Sequence, residues 1–92
     1  MIVNFKDKSL KALYEKDDHS KVRSDLVRKI ENILTRLDAA KELRDMNAPM
    51  LKLHELKGRR KGEWTVTVNA NWRVTFKFEK SEAYDVTLED YH

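Results

Sequence analysis

The chain has 92 residues with no cysteine, two glycines and one proline; 38% of residues are charged and 40% hydrophobic. A length of this order suits one domain, here residues 1–92, with a small core that buries roughly 60–65% of the unfolded surface. Lack of Cys excludes disulfides, thiolate metal sites and a Cys nucleophile. No apolar run nears the ~20 residues of a membrane span, and the opening six residues are too short for a signal peptide, so a soluble cytoplasmic protein is expected.

In chain order, Ile2-Val3-Asn4-Phe5 reads as a short first strand. Asp7 can cap a helix in which Leu10, Leu13 and Tyr14 fall at i, i+3 and i+4. Asp17-Asp18-His19-Ser20 reads as a break, and Ser20 or Ser24 as the cap of a second helix. There Leu26, Ile30, Ile33, Leu34 and Leu37 make one apolar stripe, with Arg23, Arg28, Lys29 and Arg36 pointing elsewhere. Asp38 can cap a further short helix through Leu43 and Met46, which Pro49 ends.

The period changes after Pro49. Trp64, Val66 and Val68 alternate with polar residues, as do Trp72, Val74, Phe76 and Phe78, and then Tyr84, Val86 and Leu88. Asn69-Ala70-Asn71 supplies a hairpin through the tolerance of Asn for positive φ, and Glu79–Glu82 the next turn. A three-strand antiparallel meander follows, packed on helices, in an α+β layer fold. Alternation then puts Arg73, Thr75 and Lys77 together on an opposite face that is expected to be open, basic and polar.

Charge distribution agrees with that face. Net charge is +3, yet residues 52–77 carry 7 Lys/Arg against 2 Asp/Glu, whereas residues 78–92 carry 1 against 5. A localised basic excess suits a surface that meets phosphates, and also an ordinary solvated one.

Few residues can do chemistry. His19 reads as a solvated loop residue and His92 as a chain end. His54 lies in the basic loop Leu53-His54-Glu55-Leu56-Lys57-Gly58, where a polar spacer between two apolar anchors and a functional imidazole remain equally open readings. No His pair has metal-ligand spacing, and there is no Gly-rich phosphate loop or GxSxG elbow. What remains is acid–base work by His, Asp and Tyr around a phosphate held by Lys and Arg. That set suits RNA cleavage by the RNA's own 2′-hydroxyl, which needs no metal and no cofactor.

At whole-chain level, L-x-x-L-K-G at 53–58, Gly62–Val68, the N-W-R-V run at 71–74 and the closing Asp90-Tyr91-His92 resemble the HigB toxins of the RelE superfamily. These are ribosome-dependent mRNA endonucleases of bacterial type II toxin–antitoxin systems. The resemblance implies a RelE-like, microbial-RNase-like fold, with an N-terminal strand and helices on one face of a mainly antiparallel sheet. It places His54, Asp90, Tyr91 and His92 as the acid–base cluster, and Lys57, Asn71 and Arg73 at the scissile phosphate. Arg23, Arg28, Lys29, Arg59, Arg60 and Lys61 become rRNA contacts or plain solubilising charge. Implied partners are the ribosomal A site, mRNA and a HigA-type helix-turn-helix antitoxin, with no membrane and no direct DNA binding. A non-catalytic ribosome-binding module, or a co-repressor acting only with its antitoxin, would use the same basic face without needing Asp90-Tyr91-His92.

Overall fold

In the computed structural model, which describes residues 1–90, two α-helices precede a four-stranded antiparallel sheet. Helix α1 spans Lys8–Lys16; Asp7 caps it by accepting from the Ser9 and Leu10 backbone N–H groups, and a left-handed Asp17 ends it. Helix α2 spans Val27–Ala39. Neither Ser20 nor Ser24 caps it: its N-cap is Leu26, which provides no side-chain hydrogen bond. Ser20 instead donates through N and Oγ to Asp18 at 3.0 and 2.6 Å, a local turn that uses the hydroxyl well before the helix begins.

Asp38 is not a cap either. It lies within α2, and its carboxylate accepts from the Ile2 backbone N–H at 2.7 Å, tying the chain start to the helix. The expected third helix shrinks to one 3₁₀ turn, Leu43–Met46, closed by reciprocal Glu42 and Asp45 capping.

The sheet runs in order β1 (His54–Glu55), β2 (Glu63–Thr67), β3 (Trp72–Glu79) and β4 (Glu82–Asp90). The loop around His54 thus contributes a short fourth strand to the three-strand meander. Between β2 and β3, Asn69 Oδ1 accepts from the Asn71 and Trp72 N–H groups at 2.8 and 2.9 Å. The turn is closed by this side chain and not by a left-handed Asn: positive φ occurs elsewhere, including Lys80 and Ser81, the two residues of the β3–β4 hairpin.

One irregularity changes the third strand. Thr75 pairs with Thr87 but Lys77 pairs with Tyr84, so Phe76 faces two residues, Asp85 and Val86. Asp85 sits at φ 52° and is the bulged residue. The extra residue resets the alternation, so Ala83 and Val86 are both fully buried. Tyr84, expected inward, stands beside Lys77 on the other face and donates to Glu82 at 3.0 Å.

The same bulge breaks the expected N-terminal strand. Residues 2–5 lie parallel to β4 but form only two isolated bridges, Ile2 to Ala83 and Phe5 to Val86. Between them the Asn4 side chain bonds Asp85, donating to its carboxylate at 2.8 Å and accepting from its N–H at 3.1 Å.

The core lies between the helices and one sheet face, where Leu10, Leu13, Ile30, Leu34, Leu37 and Met46 meet Val66, Val74, Phe76, Ala83 and Val86. Trp64, Trp72, Phe78 and Leu88 pack at its margin, as the alternation implied. Among the described residues, no helix is long and apolar enough to cross a membrane.

Candidate functional site

Strand register defines the face opposite the core. Cross-strand partners share a face, so three rows follow: Thr67–Arg73–Glu89, then His54–Thr65–Thr75–Thr87, then Glu63–Lys77–Tyr84. His54 therefore stands on the same face as Arg73, one row along and two strands over. With strands about 4.8 Å apart and a rise of about 3.4 Å per residue, their Cα atoms are roughly 12 Å apart, a gap that two long side chains can close onto one phosphate.

His54 is exposed, and its Nδ1 lies 2.9 Å from the Lys52 carbonyl. A ring nitrogen facing a carbonyl carries the proton, so Nδ1 donates and Nε2 is left as the acceptor or second donor. This contact orients the ring without burying it.

The open basic platform expected from alternation does not exist in that form. Thr75 and Thr65 are buried, with their hydroxyls 3.5 Å apart beneath the longer side chains of the two flanking rows. Lys77 pairs with Asp85 at 3.6 Å. Arg73, with its side chain 17% exposed, donates to Glu89 at 3.1 Å.

Arg60 completes the arrangement. It projects from the 3₁₀ turn Gly58–Arg60, donates in bidentate fashion to Glu89, and reaches Glu63 at 2.9 and 3.3 Å. Glu89 thus lies between two guanidinium groups, and hydrogen bonds from Arg60, reinforced by Arg73, hold its carboxyl below its ordinary range. The Arg60 hydrogen bonds do the same to Glu63, and in return Glu89 and Glu63 push the Arg60 guanidinium value up. Two cations and two anions cancel at the centre of this face. Arg60 is accordingly a structural clamp here, not a loose phosphate ligand.

Outward charge comes from the loop instead. Lys57, Arg59 and Lys61 are all exposed around the turn beside His54, and Lys57 occupies its N-cap position. Asn71 is exposed at the hairpin leading into Arg73. Asp90, the last residue of β4, is exposed and registers opposite Trp72, so by the same rule it belongs to the Trp72 face at the strand end and not to the face of His54, Arg73 and Glu89. Tyr91 and His92 lie outside the described residues.

Of the other cations, Arg23 is engaged with Asp25 at 2.9 Å, while Arg28 and Lys29 are exposed on α2. His19 contacts Asp17 at 2.8 Å and Glu31 at 3.5 Å, both carboxylates raising its pKa, at the far end of the molecule's chain order from these rows.

Sequence reasoning missed the part played by Glu63 and Glu89. For Glu89 a partial signal was present, since the basic stretch 52–77 is followed by an acidic one that an antiparallel meander folds back along it; Glu63 lies within the basic stretch itself.

Comparisons with known proteins bear on the whole chain. Residues 3–92 match the family described as RelE-like toxin of type II toxin–antitoxin system HigB. Endoribonuclease HigB of Proteus vulgaris is 47% identical over 92 residues, covering all of both chains. Among solved structures, YafQ from E. coli strain BL21(DE3) aligns with a TM-score of 0.65 at 17% identity, covering 99% of this chain and 92% of that one. The YoeB–YefM complex from Staphylococcus aureus aligns at 0.61 and 16% identity, covering 100% and 95%. At such identities the two structures speak for the fold alone, and they agree with the RelE-like α+β architecture.

Proposed function

The chain belongs to the family of HigB-like toxins of type II toxin–antitoxin systems, and on that footing we propose that it is a cytoplasmic endoribonuclease that cuts mRNA in the ribosomal A site. Its partner is an antitoxin, in this reading one of the HigA helix-turn-helix type. Full-length similarity to an endoribonuclease supports the nuclease activity. The observation that carries the site is the exposed, oriented His54 on the same sheet face as Arg73, with Lys57 beside it.

The chemistry is transesterification without a metal. A base takes the proton of the 2′-hydroxyl, O2′ forms a bond to phosphorus, and the bond to the 5′-oxygen breaks as an acid protonates it. The products are a 2′,3′-cyclic phosphate and a free 5′-hydroxyl. His54 and the closing Asp90, Tyr91 and His92 supply the base and acid, with Asp90 orienting an imidazole. An imidazole can act as either proton acceptor or proton donor, which suits both roles. Lys57 and Arg73 stabilise the negative charge that grows on the phosphorane, and Asn71 hydrogen-bonds the substrate. Arg23, Arg28, Lys29, Arg59 and Lys61 are candidates for rRNA phosphate contacts, with Arg60 set apart because its donors are committed to Glu63 and Glu89. Neutrality at the centre of the face gives naked RNA little to bind, and a ribosome would supply both affinity and orientation.

The test is cleavage of a defined mRNA, naked and then with a codon in the A site of purified ribosomes. His54→Ala and His92→Ala should each lower the rate at least 100-fold with the melting temperature unchanged, and removal of residues 90–92 should abolish cutting. Cleavage of naked RNA at the same rate would discard ribosome dependence. Tight ribosome binding with no cleavage would instead establish the non-catalytic module.

A further inference from the structure

Beside the charged face, but not on it, lies an apolar groove of about 480 Å³. Its floor is Ile33 of α2, and one wall is the segment Ala48-Pro49-Met50-Leu51 that leads towards β1. Thr67 closes the end nearest the sheet, where its N–H donates to the Leu51 carbonyl at 2.7 Å. Met50 is 76% exposed, more than any other large hydrophobic residue described.

The rim is chemically one-sided. Lys29 and Arg36, one on each side of Asn32 along the same stripe of α2, are exposed, and among the described residues no carboxylate lines the groove. Arg36 is held in place there, donating from Nε to the Asp45 carbonyl at 2.8 Å and keeping its other N–H groups for a further acceptor.

We infer that this groove docks the antitoxin of the system, through a segment that inserts an apolar side chain between Met50 and Ile33 and sets carboxylates against Lys29 and Arg36. The inference rests on the family's antitoxin partner and not on the cleavage chemistry. An RNA base is a poor occupant: among the described residues the walls offer no aromatic ring to stack on and few groups to satisfy its polar edges. A small polar ligand fails for the same lack of convergent donors. An apolar side chain with acidic neighbours satisfies both floor and rim. Because Thr67 is the cross-strand partner of Arg73, the seated segment ends beside the row that faces RNA. Lys29 is thereby reassigned from rRNA contact to antitoxin contact.

The test is titration calorimetry of the full chain with the antitoxin of its own type II system. Met50→Glu should raise Kd at least 30-fold, and Lys29→Glu with Arg36→Glu at least tenfold with a flatter dependence on salt. Lys11→Glu, a matched charge change on the exposed side of α1, should leave Kd within twofold. Unaltered affinity in Met50→Glu overturns the docking. So does loss of a self-dimer in that variant, by sedimentation, with antitoxin affinity intact, since that assigns the groove to a second copy. Hydrogen exchange on the unsubstituted pair gives a check free of folding artefacts: antitoxin should protect the amides of residues 48–52, and absence of protection there refutes the proposal. None of these readouts requires cleavage, so a chain that binds here but cuts no RNA would overturn the nuclease reading and leave this one standing.

Discussion

Glu89→Gln is the sharpest probe of the charged face. Gln keeps the shape of the side chain but removes the charge that takes two hydrogen bonds from Arg60 and one from Arg73. Hydrogen bonds to a charged partner contribute about 1.5–3 kcal/mol, and leaving a buried partner uncompensated costs more. Arg73 is 17% exposed and Glu89 21%, but Arg60 is 37% exposed and solvent screens its share. A net loss of about 2 kcal/mol follows. Unfolding entropy of roughly 2.1 cal/mol/K per residue converts that to a fall of about 10 °C in Tm. Dependence on pH supplies the control. The Glu89 carboxyl is held below its ordinary range chiefly by the Arg60 hydrogen bonds, so its stabilisation is complete above the unfolded value near ~4.3 and is lost as pH falls through the folded one. Urea unfolding at pH 7.5 should show the full difference between wild type and variant, and the difference should shrink steadily as pH is lowered below the unfolded carboxyl value. A difference below about 0.5 kcal/mol at pH 7.5, or one of equal size throughout that descent, would refute the clamp.

Two further outcomes test the scaffold. Tyr14 is pushed up to about 12, first by burial and then by the Asp38 carboxylate, so Asp38→Ala should bring its tyrosinate absorbance transition down part of the way towards 10; an unmoved transition would remove Asp38 from the account. Because that raised value protects the folded state only until pH climbs through it, the variant should also lose less stability than wild type between pH 10 and 12. Phe76 is wholly buried opposite the bulge, and Phe76→Ala should cost about 3–5 kcal/mol. Against a total stability of order 5–14 kcal/mol for a chain of this length, that loss should lower the urea midpoint well below that of wild type, and a midpoint close to wild type would contradict the core assignment.

Periodicity made the layers legible but not the places where side chains override it. Helix α1, the stripe of α2 and the faces of β2 and β3 follow directly from apolar spacing. The third meander strand does not, because a bulge adds one residue at Asp85 without changing the composition: Ala83 is small enough to pass for a surface residue, and Tyr84 large enough to pass for core. The same bulge interrupts the ladder with residues 2–5, turning a strand-like run into two bridges. Capping went astray at α2 for a related reason. Ser20 had a nearer acceptor in Asp18, and short polar side chains take the local bond first.

At the candidate site, residue type proved easier to read than charge state. Alternation put Arg73 on the correct face, and the hairpin put Asn71 next to it, but summing Lys and Arg along a stretch of sequence could not show that Glu89 and Glu63 would fold back onto Arg73 and Arg60. The face is polar because of alternation and nearly neutral because of register, and register depends on turn and bulge geometry that composition does not encode. This neutrality has a mechanistic consequence. Arg73 is pre-bonded to Glu89, so on the proposed mechanism it would meet a developing phosphorane charge without first losing rotamer freedom. Attraction over longer distances falls to Arg59 and Lys61, which are exposed and have no such carboxylate clamp among the described residues. On the proposed mechanism, affinity for RNA and stabilisation of the reacting phosphate would rest on different cations, and raised salt should weaken the first well before it weakens the second.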